Sequence, residues 1–425
     1  MKLKGQKGSF QWHKPTLGIM TISSGLTQFI GFGSTLALGH VYLPSDFGQY
    51  SLAISMATVL APVLTFSMEI FIVPAKDDRE ARLYVRRIFM AMLRNFVILL
   101  FCGLLLQHIK IAEVAQSIDI TIAGLLGLLL ALLYATFSVV TQILLREQEF
   151  KKLAIRNPVQ NFLIGASQIA LSAPITKNFG LILGEFLGRI VGTSFLARRA
   201  TRIYRKWDSL ETKDVPKPVK PSLIFVNFSS IVFDLLSVSA VIFFSTAFFT
   251  KGEVGQVAMA QRILSFPVVL LGTVFSQYLL AKGAAEFRVG RRLNSEGFNS
   301  ILTLLFIISF VILGVLYLLL PLIVEMLLGN KWLESITIIH YLIPATLISF
   351  IWNPLSSLFY VYRKWYAFLY VSMIRFLFIL IAASFSRFQE LPLSRSLMII
   401  TLFGAIAQLG GIWYLRKLCT NSLID

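Results

Sequence analysis

The chain is 425 residues long, 56% hydrophobic and only 14% charged, with a mean hydropathy of +0.76. Soluble domains carry about a quarter charged residues, so this composition excludes an ordinary soluble protein and places the chain in a membrane. The 39 basic residues against 21 acidic ones give a net charge of +18. These cations sit in short loops between apolar runs, where they orient spans and meet anionic lipid headgroups. No basic region with interleaved aromatics stands apart, which argues against nucleic acid as a partner.

A spanning helix needs about 20 mainly apolar residues, and twelve stretches qualify. Met1 to Pro15 is basic through Lys2, Lys4, Lys7 and Lys14, as before a signal peptide. The run that follows, Leu17–Leu38, exceeds the roughly 7–15 residues of a cleavable core and reads as an uncleaved first span. The next five are Tyr50–Pro74, Ile88–Leu106, Ile118–Leu145, Val159–Ile175 and Phe179–Ala197. The fifth is the shortest, and Pro174 interrupts it before a hairpin through Lys177 and Asn178. Trp207 to Ser222, with Pro216, Pro218 and Pro221 among charged residues, reads as a stiff polar connector. Beyond it come Leu223–Phe249, Gln256–Ala281, Phe298–Leu320, Ile336–Tyr360, Tyr366–Phe385 and Ser396–Leu415.

Orientation follows from the Lys/Arg bias. With the N-terminus cytoplasmic, the cytoplasmic segments hold 29 Lys and Arg and the opposite loops hold six. The reverse orientation inverts the positive-inside rule at nearly every loop. Asp46-Phe47-Gly48-Gln49-Tyr50-Ser51-Leu52-Ala53 returns 207 positions later as Glu253-Val254-Gly255-Gln256-Val257-Ala258-Met259-Ala260. Both octets read acidic, apolar, Gly, Gln, apolar, small, apolar, Ala, and both open a span. A self-match at that offset indicates a duplicated half. The expected fold is all-α and integral to the membrane: twelve transmembrane helices in two parallel-repeat six-helix lobes around a central cavity, N-in and C-in. The lobes are residues 1–206 and 223–425, joined by the cytoplasmic connector 207–222.

Little in the sequence suggests an enzyme or a cofactor. There is no G-x-x-x-x-G-K-[ST] phosphate loop. His13, His40, His108 and His340 are dispersed without metal-ligand spacing, and no Ser-His-acid arrangement is evident. Cys102 and Cys419 imply neither a disulfide framework nor a metal site. Asp77-Asp78 resembles the paired carboxylates of glycosyltransferases but lies among five basic residues, as a solvated charge cluster does.

Charge inside a span costs about 2.5–3.5 kcal/mol at its centre, and such residues usually face a cavity or a partner. The candidates are Glu69, Arg94, Glu185, Arg189, Asp234, Arg262 and Arg375. Glu69 and Arg94 lie about 8–12 Å from a span end at 1.5 Å per residue, so each either faces a cavity or snorkels. Arg189, Asp234 and Arg375 fall near the middle of their spans, where snorkelling is hardest. Glu185 precedes Arg189 by four residues on the same helix face, so that pair is either functional or simply neutralised between packed helices. Gly184 and Gly188 favour close helix contact there. Arg262 is followed by Pro267, which removes a backbone hydrogen bond and suggests either a broken helix beside a binding site or a packed kink.

Several segments resemble a known family. Pro44-Ser45-Asp46-Phe47-Gly48-Gln49-Tyr50 is similar to the loop after the first helix in oligosaccharide flippases of the multidrug/oligosaccharidyl-lipid/polysaccharide exporter superfamily. Met259-Ala260-Gln261-Arg262 through Pro267, with Phe275-Ser276-Gln277, resembles that family's eighth helix. Phe179-Gly180-Leu181 with Gly184 to Arg189 resembles its sixth, and Leu328-Gly329-Asn330-Lys331-Trp332 the entry to its tenth. The resemblance implies a polysaccharide (O-antigen or capsule) flippase of the bacterial cytoplasmic (inner) membrane. Such proteins move undecaprenyl-diphosphate-linked oligosaccharide to the periplasmic leaflet by alternating access, without a cofactor. It also implies anionic lipids, and polymerase and chain-length proteins of the same pathway, as partners. On that reading Arg189, Arg262, Arg375 and Arg94 are cavity cations for the diphosphate, while Asp234, Glu69 and Glu185 serve ion coupling. An ion-coupled multidrug exporter of the same superfamily is the first rival, although its cavity should be acidic. A periplasmic-face polysaccharide polymerase or ligase is the second, although it should carry a large periplasmic loop.

Overall fold

The computed structural model describes residues 14–108, 118–173, 177–208, 220–288 and 294–420. These form helices α1 (Lys14–Val41), α2 (Pro44–Thr65), α3 (Asp78–His108), α4 (Ile118–Arg146), α5 (Phe150–Ala170) and α6 (Lys177–Asp208), then α7 (Pro221–Phe248), α8 (Lys251–Arg288), α9 (Ser295–Leu327), α10 (Leu333–Val361), α11 (Trp365–Phe388) and α12 (Leu393–Thr420). Short 3-10 turns at Met68–Phe71 and Asn330–Trp332 complete them. Ten helices are long and apolar enough to cross a membrane. The other two are α1, diluted by Gly, Ser and Thr, and α5, which carries Lys151, Lys152 and Arg156 in its first two turns. Pro174 and most of the 207–222 connector lie outside the described residues.

Helix packing in the first half recurs in the second, displaced by six helices. α2 packs on α4 as α8 packs on α10, α1 on α5 as α7 on α11, α5 on α6 as α11 on α12, and α4 on α6 as α10 on α12. Between the halves α2 crosses α8, α1 meets α8 and α2 meets α7.

The repeated octets explain this crossing residue by residue. Asp46 accepts a hydrogen bond from the Leu43 backbone N–H at 2.9 Å, and Glu253 accepts one from Thr250 N–H, also at 2.9 Å. Each acid thus satisfies a donor at the entrance of its helix and sets where that helix starts. Gly48 and Gly255 bring α2 and α8 together, since a Cβ on either would collide with backbone of the other helix's first turn. Ala53 and Ala260 are both fully buried. Trp332 closes the same end: it is fully buried, its Nε1–H donates to the Gly39 carbonyl at 2.9 Å, and its ring meets Phe47 edge-on at 5.2 Å. Lys331 Nζ adds hydrogen bonds to the His40 and Tyr42 carbonyls at 2.8 and 2.9 Å.

The structure corrects the sequence expectation at three elements. α2 stops at Thr65 rather than reaching Pro74, because Phe66 and Ser67 adopt left-handed backbone at φ 52° and 51°. Their turn returns the Ser67 N–H to the Pro62 carbonyl, and Asn95 donates to the free carbonyls of Val63 and Leu64. Pro267 does not break its helix, since α8 runs for 38 residues through it. α5 begins at Phe150, nine residues before the expected fifth span, and so carries Arg156 into the bundle. The Asp77-Asp78 pair is solvent-facing, Asp77 being exposed and the Asp78 side chain 37% exposed. Asp78 pairs with Arg146 at 3.1 Å, and Arg146 donates to the carbonyls of Ile72, Val73 and Ala75.

Candidate functional site

Two cavities meet beneath the α2–α8 crossing. The larger, about 420 Å³, lies among α2, α7, α8, α10, α11 and α12. The smaller, about 260 Å³, lies among α1, α2, α4, α5, α6 and α8. Tyr50, Ile54, Arg262 and Ser265 line both, so the second and third turns of α2 and the fourth turn of α8 form the divide between them.

Arg262 occupies this junction about 16 Å along α8 at the helical rise per residue. Its guanidinium lies 4.8 Å from the Tyr50 ring centre and 5.2 Å from that of Phe47, and Nη1 reaches Thr35 Oγ1 only at 3.5 Å. Cation–π contacts contribute about 0.5–2 kcal/mol each and hold the side chain without neutralising it. Among the described residues it has no carboxylate within ion-pair distance. Two faces of aromatic ring therefore present to both cavities a cation that forms no ion pair, with Glu185 the nearby acid beyond Tyr50.

Arg189 is held differently. Its Nε donates to Glu185 Oε1 at 2.5 Å, and its guanidinium stacks 3.8 Å from the Tyr134 ring centre. Glu185 is buried and also accepts from Tyr50 Oη at 2.8 Å and Tyr134 Oη at 3.1 Å. One carboxylate thus ties α2, α4 and α6 together, and the two readings of the Glu185–Arg189 pair merge: it is neutralised locally and it lines the smaller cavity. Gly184, Gly188 and Gly192 let α6 approach α5 closely enough to build this wall, a Cβ at Gly188 falling 2.6 Å from the Ile164 Cα.

In the second half Arg375 lines the larger cavity, and its Nη1 donates to Asp234 at 2.9 Å. Arg375 Nε is buried without a hydrogen-bond partner. Among the described residues no Asp or Glu lines the larger cavity, and Glu185 is the one acid lining the smaller. Arg189, Arg262 and Arg375 therefore give the combined space a cationic lining with many N–H donors, chemistry suited to phosphate oxygens.

Two sequence candidates stand apart. Arg94 is exposed on α3, bonded to its neighbour Asn95 and lying 5.6 Å from the Phe66 ring centre, and it lines neither cavity. Glu69 is buried in the 3-10 turn after α2, where Oε1 accepts from Ser138 and Oε2 has no partner; it too lines neither cavity. Sequence reasoning missed Tyr50 and Tyr134, which carry no charge to mark them. It also missed Arg156, counted as a loop cation because the fifth span was placed too late.

A family model described as "Polysaccharide biosynthesis protein" matches residues 41–337. A comparison with curated proteins yields no match. Among solved structures, the inward closed conformation of the lipid II flippase MurJ aligns with a TM-score of 0.71 at 13% identity, over 95% of this chain and 90% of that one. An inward-facing multidrug resistance MATE family transporter of the MOP superfamily aligns with a TM-score of 0.56 at 15% identity, over 95% of each chain. An outward-facing MATE structure gives 0.57 at 13%, over 96% of each. At such identities the likeness is one of fold. The chain belongs to the polysaccharide biosynthesis protein family and is a multi-pass membrane protein that shares the fold of these solved structures.

Proposed function

We propose that the protein is a flippase for an undecaprenyl-diphosphate-linked oligosaccharide, moving it from the cytoplasmic to the periplasmic leaflet by alternating access in O-antigen, capsule or exopolysaccharide assembly. The observation that carries this reading is Arg262, a cation that forms no ion pair among the described residues, at the junction of two cavities. A diphosphate and its sugars are too polar to cross hydrocarbon unaided, and guanidinium groups replace its lost water with charge-assisted hydrogen bonds. The polyprenyl tail stays in lipid. Twelve spans with both termini cytoplasmic, and lobes at 1–206 and 223–425, complete the proposal. In that orientation the end sealed by Gly48, Gly255 and Trp332 is periplasmic. Glu185 and Asp234 each hold a cavity arginine, and their protonation, or competition from the diphosphate, would release Arg189 and Arg375 for the cargo. Arg94 and Glu69 have no part in this scheme.

The test is complementation of a strain lacking the protein. Arg262→Ala should abolish surface polysaccharide at normal membrane abundance, and Arg262→Lys should restore part of it, because lysine keeps the charge but not the fork. Normal polysaccharide with Arg262→Ala would remove the assignment. Raised resistance to lipophilic cations on expression would favour the multidrug exporter instead.

A further inference from the structure

Behind Arg189, on the side of the first half away from Arg262, lies a chamber of about 390 Å³ walled by α1, α4, α5 and α6. Arg156 projects into it, although the residue is only 3% exposed. The guanidinium stacks 3.5 Å from the Phe137 ring centre, and Nη1 donates to Asn157 at 2.9 Å. Its Nε and Nη2 are buried with no hydrogen-bond partner. Gln160 Nε2 and Thr141 Oγ1, which line the same chamber, are also buried without partners. Arg189 forms the remaining wall, and its carboxylate partner Glu185 does not line the chamber.

A buried donor left unmade costs free energy, and a buried unpaired charge costs more. Here four unpartnered buried atoms, each able to donate, belong to residues that line one space, and among the described residues that lining has two guanidinium groups and no acid. Water satisfies donors and acceptors alike but does not neutralise a cation. An oxyanion does both: it accepts from every one of these groups and supplies the missing charge.

We propose that this chamber is a second anion site, separate from the central cavity, that takes a phosphate group through Arg156, Gln160 and Thr141. The phosphate comes either from a lipid headgroup or from a free phosphate or diphosphate. The site adjoins the central cavity at Asn161 and Arg189, which line both, so its occupancy would bear on the Arg189–Glu185 pair. The proposal does not depend on what the central cavity carries.

The experiment uses the purified full chain in phosphatidylcholine nanodiscs, with inorganic pyrophosphate as the probe and calorimetry as the readout. The Arg262→Gln background removes the one central arginine that has no carboxylate partner among the described residues. That variant should still bind pyrophosphate, and adding Arg156→Gln should weaken binding at least tenfold. Gln160→Leu with Thr141→Val should weaken it severalfold while the protein stays folded, because Gln160 Nε2 and Thr141 Oγ1 have no partner in the fold. This arm decides the matter if the Arg156 variant does not fold. Repeating the titration with phosphatidylglycerol in the nanodisc separates the sources. Weakened pyrophosphate binding that depends on Arg156 identifies a lipid headgroup, and undiminished binding identifies a free phosphate. Pyrophosphate binding that Arg262→Gln alone abolishes, or that both chamber variants leave unchanged, overturns the proposal while leaving the central-cavity reading intact. A rise in melting temperature with Arg156→Gln and no change in binding would mark the residue as an uncompensated structural cation and overturn it equally.

Discussion

Gly48 and Gly255, 207 positions apart in the chain, face each other's helices so closely that neither position accepts a side chain. A Cβ on Gly48 would collide with the Lys251 carbonyl, and one on Gly255 with that of Pro44. Because both obstacles are backbone, no rotamer change relieves them. Gly255→Val should therefore force α2 and α8 apart at this end. With the native cysteines replaced and one cysteine placed at Ser51 in the cavity wall, a membrane-impermeant thiol reagent should label the variant from the side sealed in the parent protein. Side-selective labelling equal to the parent's would contradict the seal.

The Glu185–Arg189 pair should behave as a coupled unit. Glu185→Ala strips the charge partner from Arg189 and the acceptor from Tyr50 and Tyr134, and removing one member of a buried pair costs about 3–5 kcal/mol. Adding Arg189→Met removes the stranded cation and should recover much of that loss. Denaturation of the two single variants and the double variant measures the coupling, and additive losses would show that the two groups do not share one network.

The second pair should weigh less. The Asp234 side chain is 32% exposed against 5% for Glu185, so solvent screens its contact with Arg375. Asp234→Asn should cost about 1 kcal/mol of stability, while freeing Arg375 toward the cavity. A stability loss as large as that of Glu185→Ala would mean that the Arg375 site is drier than its exposure indicates.

The α5–α6 wall should tolerate almost no added volume. Cβ atoms at Gly184 and Gly188 would fall 2.6 Å from the Gln168 nitrogen and the Ile164 Cα respectively. Gly188→Val should thus cost more than the roughly 1–3 kcal/mol of ordinary overpacking and lower the yield of folded protein. Gly103, with open space around its Cβ position, should accept alanine without loss. Equal effects at the two positions, measured by melting temperature, would remove the close-packing argument.

The sequence carried what is periodic or local. Each of the twelve apolar runs falls on a helix of the described residues, ten of them apolar enough to cross a membrane, because runs of apolar residues depend on no partner. The two octets exposed the internal repeat, and their acids and glycines do matching work at matching helix entrances. Glu185 and Arg189 were readable together because four residues on a helix place them side by side. The end of α2 was hidden, since no Gly marks the left-handed turn at Phe66 and Ser67 and the captured carbonyls depend on Asn95, far along the chain. The aromatic seat of Arg262 likewise joins α8 to Phe47 and Tyr50 on α2, contacts that no local spacing encodes. Arg156 was misplaced for a simpler reason: two lysines just before it made the entrance of α5 look like loop.

On the proposed function, the arginine-lined space between the halves receives an anionic, diphosphate-bearing lipid. The most direct measurement is translocation of a fluorescent polyprenyl-diphosphate oligosaccharide in liposomes containing the purified protein. One lost charge-assisted hydrogen bond is equivalent to about 1.5–3 kcal/mol, so Arg262→Gln should slow translocation by roughly 10–100-fold while the protein remains folded. Undiminished translocation by Arg262→Gln, or none by the parent protein alongside export of a lipophilic cation, would contradict the account.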